Sequence, residues 1–420
     1  MKKVLAVILA VAMLCTGFCL TSCNNTAKDP GSEQGNNDPS QSSDGRVVTI
    51  ENNVITIGLI APLTGPVAVY GISAKQGMEL AVAEINKSEE ILPGYTIELV
   101  IKDDQGDPTI GVSAFNSLLE GNMAALLGPI TTGVTSAVTS LCNENEVVMI
   151  TPSATGDSIT TASDYVFRSC FKDSLQGERA AEYAKDLGIE KVAVLYASGD
   201  TYSKGLRDAF VNKCAELGVE VAVEMTSQTI SDETTFSSQL TTIIDTIGKD
   251  GFLFAPYYYD AVGPMIVPEA RNLGFTGIIM GSDGYDGIVP DYVTGNMENY
   301  NNVVFTNHYS SENTDEKVVN FISTYKEAYN ENPTAFSALG YDAAYMLATA
   351  VEKAMKTNDG TVTVSGADVK AAMDGMTFAG VTGNFTLDAT GTPEKSAVII
   401  EYVYDADADT VTSKYVKTVG

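Results

Sequence analysis

The sequence predicts an α/β fold of two Rossmann-like lobes, each a mostly parallel sheet flanked by helices, joined by several strands that cross between them as a hinge. Three observations carry this expectation. From Val54 onward, short apolar runs alternate with stretches of helical periodicity, the pattern of a sheet covered on both faces. The alternation passes through two consecutive series, one on each side of Arg168. Once a polar N-terminal stretch is set aside, about 375 residues remain, a length suited to two or three domains with a sizeable core.

In the first series Thr56 to Ala61 reads as a buried strand, followed by a turn from Pro62 to Pro66. Met78, Ala81, Val82 and Ile85 then fall at i, i+3, i+4 and i+7, so one face of a helix is apolar. Tyr95 to Ile101 returns as a strand. The cycle continues with a helix from Thr109 to Glu120, a strand at Ala124 to Leu127, a helix from Gly133 to Asn145 and a strand at Val147 to Thr151. The second series opens with a helix from Leu175 to Leu187 that carries Ala180, Ala181 and Ala184 on one side, then a strand from Lys191 to Tyr196. A helix from Lys204 to Leu217 is stopped by Gly218. Strand, helix and strand follow at Val219 to Thr226, Phe236 to Ile247 and Gly251 to Ala255, then a helix from Pro264 to Leu273 and strands at Gly277 to Met280 and Val303 to Thr306. Helices from Glu316 to Tyr329 and from Ala338 to Lys356 exceed what the second lobe needs, so they are expected to return to the first. Hairpin-like strands at Gly383 to Leu387 and Ala397 to Tyr404 close the chain. The resulting lobes are residues 54–173 with 306–393, and residues 174–305 with 394–420.

The N-terminus reads as an address. Met1-Lys2-Lys3 precedes an unbroken apolar run from Val4 to Leu14, too short to span a bilayer, and Leu20-Thr21-Ser22-Cys23 follows. That ending resembles the bacterial lipobox, which implies cleavage before Cys23 and a lipid on its sulfur, with residues 1–23 as the signal. An ordinary cleaved signal is the alternative, since Cys15 and Cys19 lie in the same segment. Residues 24–53 are expected to form a flexible leash, because Asn24 to Gly45 contains no aromatic or branched aliphatic residue and cannot offset its ordering entropy.

Composition excludes several functions. Without the two signal lysines, 23 basic residues face 54 acidic ones, so phosphate backbones and anionic headgroups are repelled and no nucleic acid is expected as a partner. Cys142, Cys170 and Cys214 match neither a disulfide framework nor a zinc motif, although one pair could still form a bridge. A single histidine, His308, rules out histidine-rich metal sites, and no segment has calcium-loop spacing, so neither metal nor cofactor is expected. The absence of tryptophan argues against sugar stacking. Glycine-rich nucleotide loops and the Gly-x-Ser-x-Gly elbow are missing. Ser323-Thr324-Tyr325-Lys326 matches Ser-x-x-Lys, but it lies in an amphipathic helix without a companion Lys-Thr-Gly, so an enzyme is not expected.

Polar turns at the carboxyl ends of strands offer more, since ligands of open α/β sheets bind there. Gly128-Pro129-Ile130-Thr131-Thr132-Gly133 leaves a strand and opens a helix, where unpaired amides and a threonine hydroxyl suit a carboxylate. Thr151-Pro152-Ser153-Ala154-Thr155 is a second such turn, equally readable as Ser/Thr capping. In Gly281-Ser282-Asp283-Gly284 the aspartate can meet an ammonium, or simply make an Asp-Gly turn. Tyr70, Tyr202, Tyr258 and Tyr341 fall near strand ends and can supply apolar walls with polar tips.

An ordered series supplies context: Ile60-Ala61-Pro62-Leu63-Thr64-Gly65-Pro66 with Tyr70-Gly71, Lys102-Asp103-Asp104, Asp107-Pro108, Ile150 to Thr155, Phe167-Arg168, Gln176-Gly177 and Gly340-Tyr341-Asp342-Ala343. From about Val54 to Tyr404 the chain resembles the branched-chain amino acid binding proteins of ABC transporters, which have the type I periplasmic-binding fold. The resemblance implies an exported binding protein, a monomer held at the membrane through a lipid on Cys23, that closes on an amino acid and delivers it to permease subunits. It implies that Thr132, Ser153 and Thr155 hold the ligand carboxylate, that Asp283 holds its ammonium, and that Tyr70, Tyr202, Tyr258 and Tyr341 line the cleft. Asp283 stands where familiar leucine-binding members carry Glu, and their first-lobe disulfide falls here on Gly106 and Thr131. Alternatives are a binding protein for an amide, an amine or an aromatic acid, or a sensory subunit.

Overall fold

The computed structural model describes residues 45–229, 234–288, 293 and 295–420. The signal, Cys23 and the leash up to residue 44 lie outside these described residues. The first series forms β1 (Val47–Ile50), β2 (Val54–Ala61), α1 (Ala68–Ser88), β3 (Thr96–Asp103), α2 (Pro108–Glu120), β4 (Ala125–Leu127), α3 (Thr132–Glu144), β5 (Met149–Thr151) and β6 (Val166–Arg168). The second forms α4 (Asp173–Asp186), β7 (Lys191–Ala197), α5 (Thr201–Leu217), β8 (Glu220–Ser227), α6 (Ser237–Ile247), β9 (Phe252–Phe254), α7 (Tyr259–Ala261), α8 (Val267–Asn272), β10 (Ile278–Gly281) and β11 (Val303–Asn307). The chain then makes α9 (Glu316–Tyr329), α10 (Ala335–Ala354), β12 (Met355–Asn358), β13 (Thr361–Ser365), α11 (Gly366–Met373), β14 (Thr377–Gly380), β15 (Gly383–Thr386), β16 (Ala397–Asp405) and β17 (Thr410–Val419).

Two main sheets result. One has the order β3-β2-β4-β5-β6 and is parallel throughout; the other has the order β17-β16-β11-β10-β9-β7-β8, parallel from β11 to β8 and antiparallel at β16 and β17. Helices on both faces explain why β4, β5, β9 and β11 are buried at every residue. The chain passes between the sheets three times: after β6, after β11, and before β16.

The late helices pack on α1. Gly77 of α1 and Gly340 of α10 make this approach possible, since a Cβ on Gly77 would lie 1.9 Å from Ser337 O and one on Gly340 would lie 2.4 Å from Ala74 O. Tyr325 and Tyr329 of α9 donate to Gln76 Oε1 (2.6 Å) and Gln76 O (2.9 Å) on the same helix. Among the described residues, no helix is long and apolar enough to cross a membrane.

One expectation needs correction, and one question left open by the sequence is answered. The leash does not extend to residue 53, because Val47–Ile50 pairs antiparallel with β13, from Val47↔Ser365 to Ile50↔Val362, and Val48 is buried. Its β-branched residues favour a strand, but the partner lies over three hundred residues away and leaves no local signal. The three thiols form no bridge: Cys142, Cys170 and Cys214 are free and buried.

Candidate functional site

The anion-binding end is built where β4 and β5 run out. The chain leaves β4 through Gly128, whose φ of +81° and close approach to Ile60 O (2.1 Å from a Cβ) suit only glycine. It then opens α3, a 13-residue helix whose first amides have no partner within the helix. Thr132 accepts from the Gly156 amide (3.3 Å), which leaves its own hydroxyl proton available. Ser153 donates to Ile130 O (2.9 Å), and Thr151 donates to Pro129 O (2.6 Å), so the two turns are fastened side by side. Fully buried Arg168 of β6 braces the second turn from behind, donating to Ala154 O (3.3 Å) and Thr155 O (3.0 Å).

The opposite end is Asp283, in the tight turn after β10 and 2% exposed. Its Oδ1 accepts from Gln176 Nε2 (3.0 Å) and Tyr202 OH (2.8 Å), and its Oδ2 lies 3.1 Å from His308 Nε2. Gln176 is itself fixed, because its Oε1 accepts from Asp283 N (3.0 Å) and Thr306 Oγ1 (2.9 Å). Tyr202 OH also accepts from the Gly284 amide (2.9 Å). Among the described residues no lysine or arginine pairs with Asp283. The aspartate thus has neutral donors and no countercharge.

Between these ends lies a small cavity. Aromatic rings wall it. Tyr70 of α1 stacks on Phe336 of α10 at 4.2 Å and meets Tyr258 edge-on at 5.8 Å, while Tyr258 stacks on Tyr202 at 5.0 Å. The two sheets' elements close over the cavity. Tyr70 OH donates to Gly284 O and accepts from the Tyr259 amide (3.2 Å), and Tyr259 OH donates to Pro66 O (2.7 Å).

Tyr70, Thr132, Ser153, Tyr202, Tyr258 and Asp283, chosen from sequence, all line this cavity, together with Ile130, Thr131 and Gly284 of the same turns and with Phe336, which sequence reasoning missed. Thr155 does not line it. It is fully buried behind the second turn, its hydroxyl turned toward Asp173 without closing a hydrogen bond. Burial pushes the Asp173 carboxyl well above its ordinary range. Tyr341 lies elsewhere: it donates to Glu84 Oε2 (2.5 Å) beside Tyr345 (2.9 Å), and its ring packs on Phe321 at 5.0 Å. Helical phase explains this, since five residues separate it from Phe336, about 140° around α10. Gln176 and His308 were also missed as partners of Asp283. A glutamine four residues into a helix and a lone histidine after a strand carry no local signal of such a role.

Residues 54–408 match the periplasmic binding protein family, and the chain belongs to it. Over 339 residues it is 34% identical to the Leu/Ile/Val-binding protein homolog 3 of Brucella melitensis, covering 80% of this chain and 88% of that one. Its fold is similar to that of a leucine binding protein from Thermotoga maritima, with a TM-score of 0.77 and 28% identity over 87% of this chain and 99% of that one. A branched-chain amino acid transporter substrate binding protein from Streptococcus pneumoniae, solved in complex with isoleucine, has a TM-score of 0.74 and 30% identity over 87% and 99% of the two chains.

Proposed function

We propose that this protein captures a branched-chain amino acid outside the cytoplasm, by closure of its two lobes, and delivers it to the permease of an ABC transporter. One observation carries this reading: a single small cavity has unpaired helix-start amides with Thr132 at one end, an aspartate lacking a countercharge at the other, and aromatic walls between. A zwitterion with a short aliphatic side chain answers all three features. Its carboxylate meets the start of α3 and Thr132, with Ser153 alongside, and its ammonium supplies the charge that Asp283 lacks. Leaving either end unpaired in so closed a site is costly, so an aromatic acid without an amine is disfavoured. The carboxylate partners and Asp283 come from different sheets, so a ligand touching both favours the closed state by its differential affinity. The amino acids that its relatives bind support the same choice.

A lipid on Cys23 would hold this cleft near the membrane, and the polar residues up to Gly45 would serve as the tether that keeps it at high effective concentration beside its permease. A thermal-shift screen of amino acids and aromatic acids tests the ligand class. Stabilisation follows RT ln(1 + [L]/Kd), so isoleucine, leucine or valine at about 100 times Kd should add about 2.7 kcal/mol. A screen in which 4-hydroxybenzoate shifts the transition and no amino acid does would overturn the reading.

A further inference from the structure

Behind Asp283 lies the chain's single histidine, and it stands where all three crossings between the sheets converge. His308 begins the second crossing, directly after β11, and is buried. Its ring stacks on Phe171 of the first crossing, with centroids 3.6 Å apart. Lys395 of the third crossing is the nearby cation, held by Ser169 O (2.9 Å) and Thr382 Oγ1 (2.8 Å). His308 Nε2 is 3.1 Å from Asp283 Oδ2, whereas its Nδ1 is buried and without a partner. A carboxylate only accepts hydrogen bonds, so the proton sits on Nε2 and Nδ1 is bare. The neutral imidazole thereby orients Asp283 without cancelling its charge.

A second proton would change that balance. It would place a cation directly on Asp283, in competition with any ligand ammonium, and leave a buried N–H at Nδ1 without an acceptor. We propose that His308 is a positioning residue for Asp283 that makes capture of an ammonium-bearing ligand pH-dependent, affinity falling as the imidazole gains its second proton. The inference rests on the reading that Asp283 receives the ammonium. Burial holds the imidazole below its ordinary range, Asp283 opposes this through its hydrogen bond and charge, and Lys395 adds to the lowering. Asp286, in the same turn as Asp283, is bound to Asn307 Nδ2 (3.0 Å) and the Ala335 amide (2.7 Å), and the Asp173 carboxyl on α4 is pushed well above its ordinary range by burial. Neither replaces Asp283 as the imidazole's partner. The transition therefore belongs on the acid side of neutrality. A bound ammonium lowers it further, because ligand and proton oppose each other through the same carboxylate.

Two measurements test this. In the tagless protein the histidine gives one ring C–H resonance pair, so its titration by NMR is unambiguous. Its midpoint should move to lower pH when isoleucine is added at saturation; the same midpoint with and without isoleucine overturns the inference. Calorimetric titration with isoleucine from pH 5 to pH 8 should then show wild-type affinity falling by up to about tenfold per pH unit through the transition, the one-proton limit. His308→Gln, which keeps a neutral donor but cannot take a second proton, should bind somewhat more weakly at pH 8 and lose that slope. An unchanged slope in this variant overturns the role of His308. If Asp283→Asn still weakens binding at pH 8 while His308→Gln keeps the slope, only the histidine inference fails. If Asp283→Asn leaves affinity at pH 8 intact, the ammonium reading fails with it.

Discussion

Replacing Asp283 by Asn removes one charge and almost no volume, and the structure separates its two consequences. The amide oxygen can keep the bonds from Gln176 (3.0 Å) and Tyr202 (2.8 Å), so that side of the network survives. The amide nitrogen then faces His308 Nε2, 3.1 Å from the former Oδ2, and two donors meet. Relief requires the histidine proton to move to Nδ1, which is buried without an acceptor. An unsatisfied buried group costs about 1–3 kcal/mol, and the cost falls equally on the free and bound protein. It lowers the melting temperature without altering affinity. The lost charge acts only on the bound state, where truncating one member of a buried charge pair typically costs about 2–5 kcal/mol. At 1.4 kcal/mol per decade, Kd for isoleucine should rise by roughly 30-fold to several-thousand-fold. Calorimetry at neutral pH with a parallel melting curve reads both terms. A variant that melts earlier yet binds isoleucine as tightly as the wild type would refute the ammonium role of Asp283.

Tyr341→Phe should leave ligand affinity unchanged and lower stability by about 1 kcal/mol, because its hydroxyl serves Glu84 on α1; calorimetry and a urea melt check the two parts. Asp104 is fully buried, one oxygen taken by the Gly106 amide (2.8 Å) and the other unpaired, and burial lifts its pKa to about 7. Between its unfolded pKa near 4 and this value the native state holds a proton that the unfolded chain has lost, so stability falls as pH rises through that window. Asp104→Asn should remove that slope and gain up to about 4 kcal/mol at pH 7, measured by denaturant unfolding at pH 4.5 and 7; a wild-type slope retained in the variant would exclude Asp104 as its source. Cys23→Ala should move the protein from the membrane to the soluble fraction of cells, and retention in the membrane would exclude the lipid anchor.

The alternation of strands and helices was legible because both faces of each sheet are covered, which makes runs such as Val54–Ala61 apolar nearly throughout. The exposed hairpin of β12 and β13 was not. Its residues Met355–Asn358 and Thr361–Ser365 are mostly half-buried or exposed, and Val364 alone among them is buried. The same distinction runs through the cavity. The turns that carry Thr132, Ser153 and Asp283 were legible because polar residues follow strand ends, a local pattern, while the roles of these residues came from the family resemblance. Phe336 was missed because an aromatic residue in an apolar helix reads as core. Tyr341 was misplaced because proximity in sequence to a cleft-lining helix start does not fix the helical face. His308 reaches Asp283 only because β11 lies beside β10, a sheet order set by long-range packing.

The central claim is that one cavity pairs both charges of an amino acid. Calorimetric titration of the purified protein with isoleucine and with 3-methylpentanoate, its deaminated counterpart, measures this directly. Tight binding of isoleucine with a loss of at least roughly 30-fold for the deaminated acid is the predicted result, the lower bound expected for an unpaired buried charge. Equal affinity for the two would contradict it.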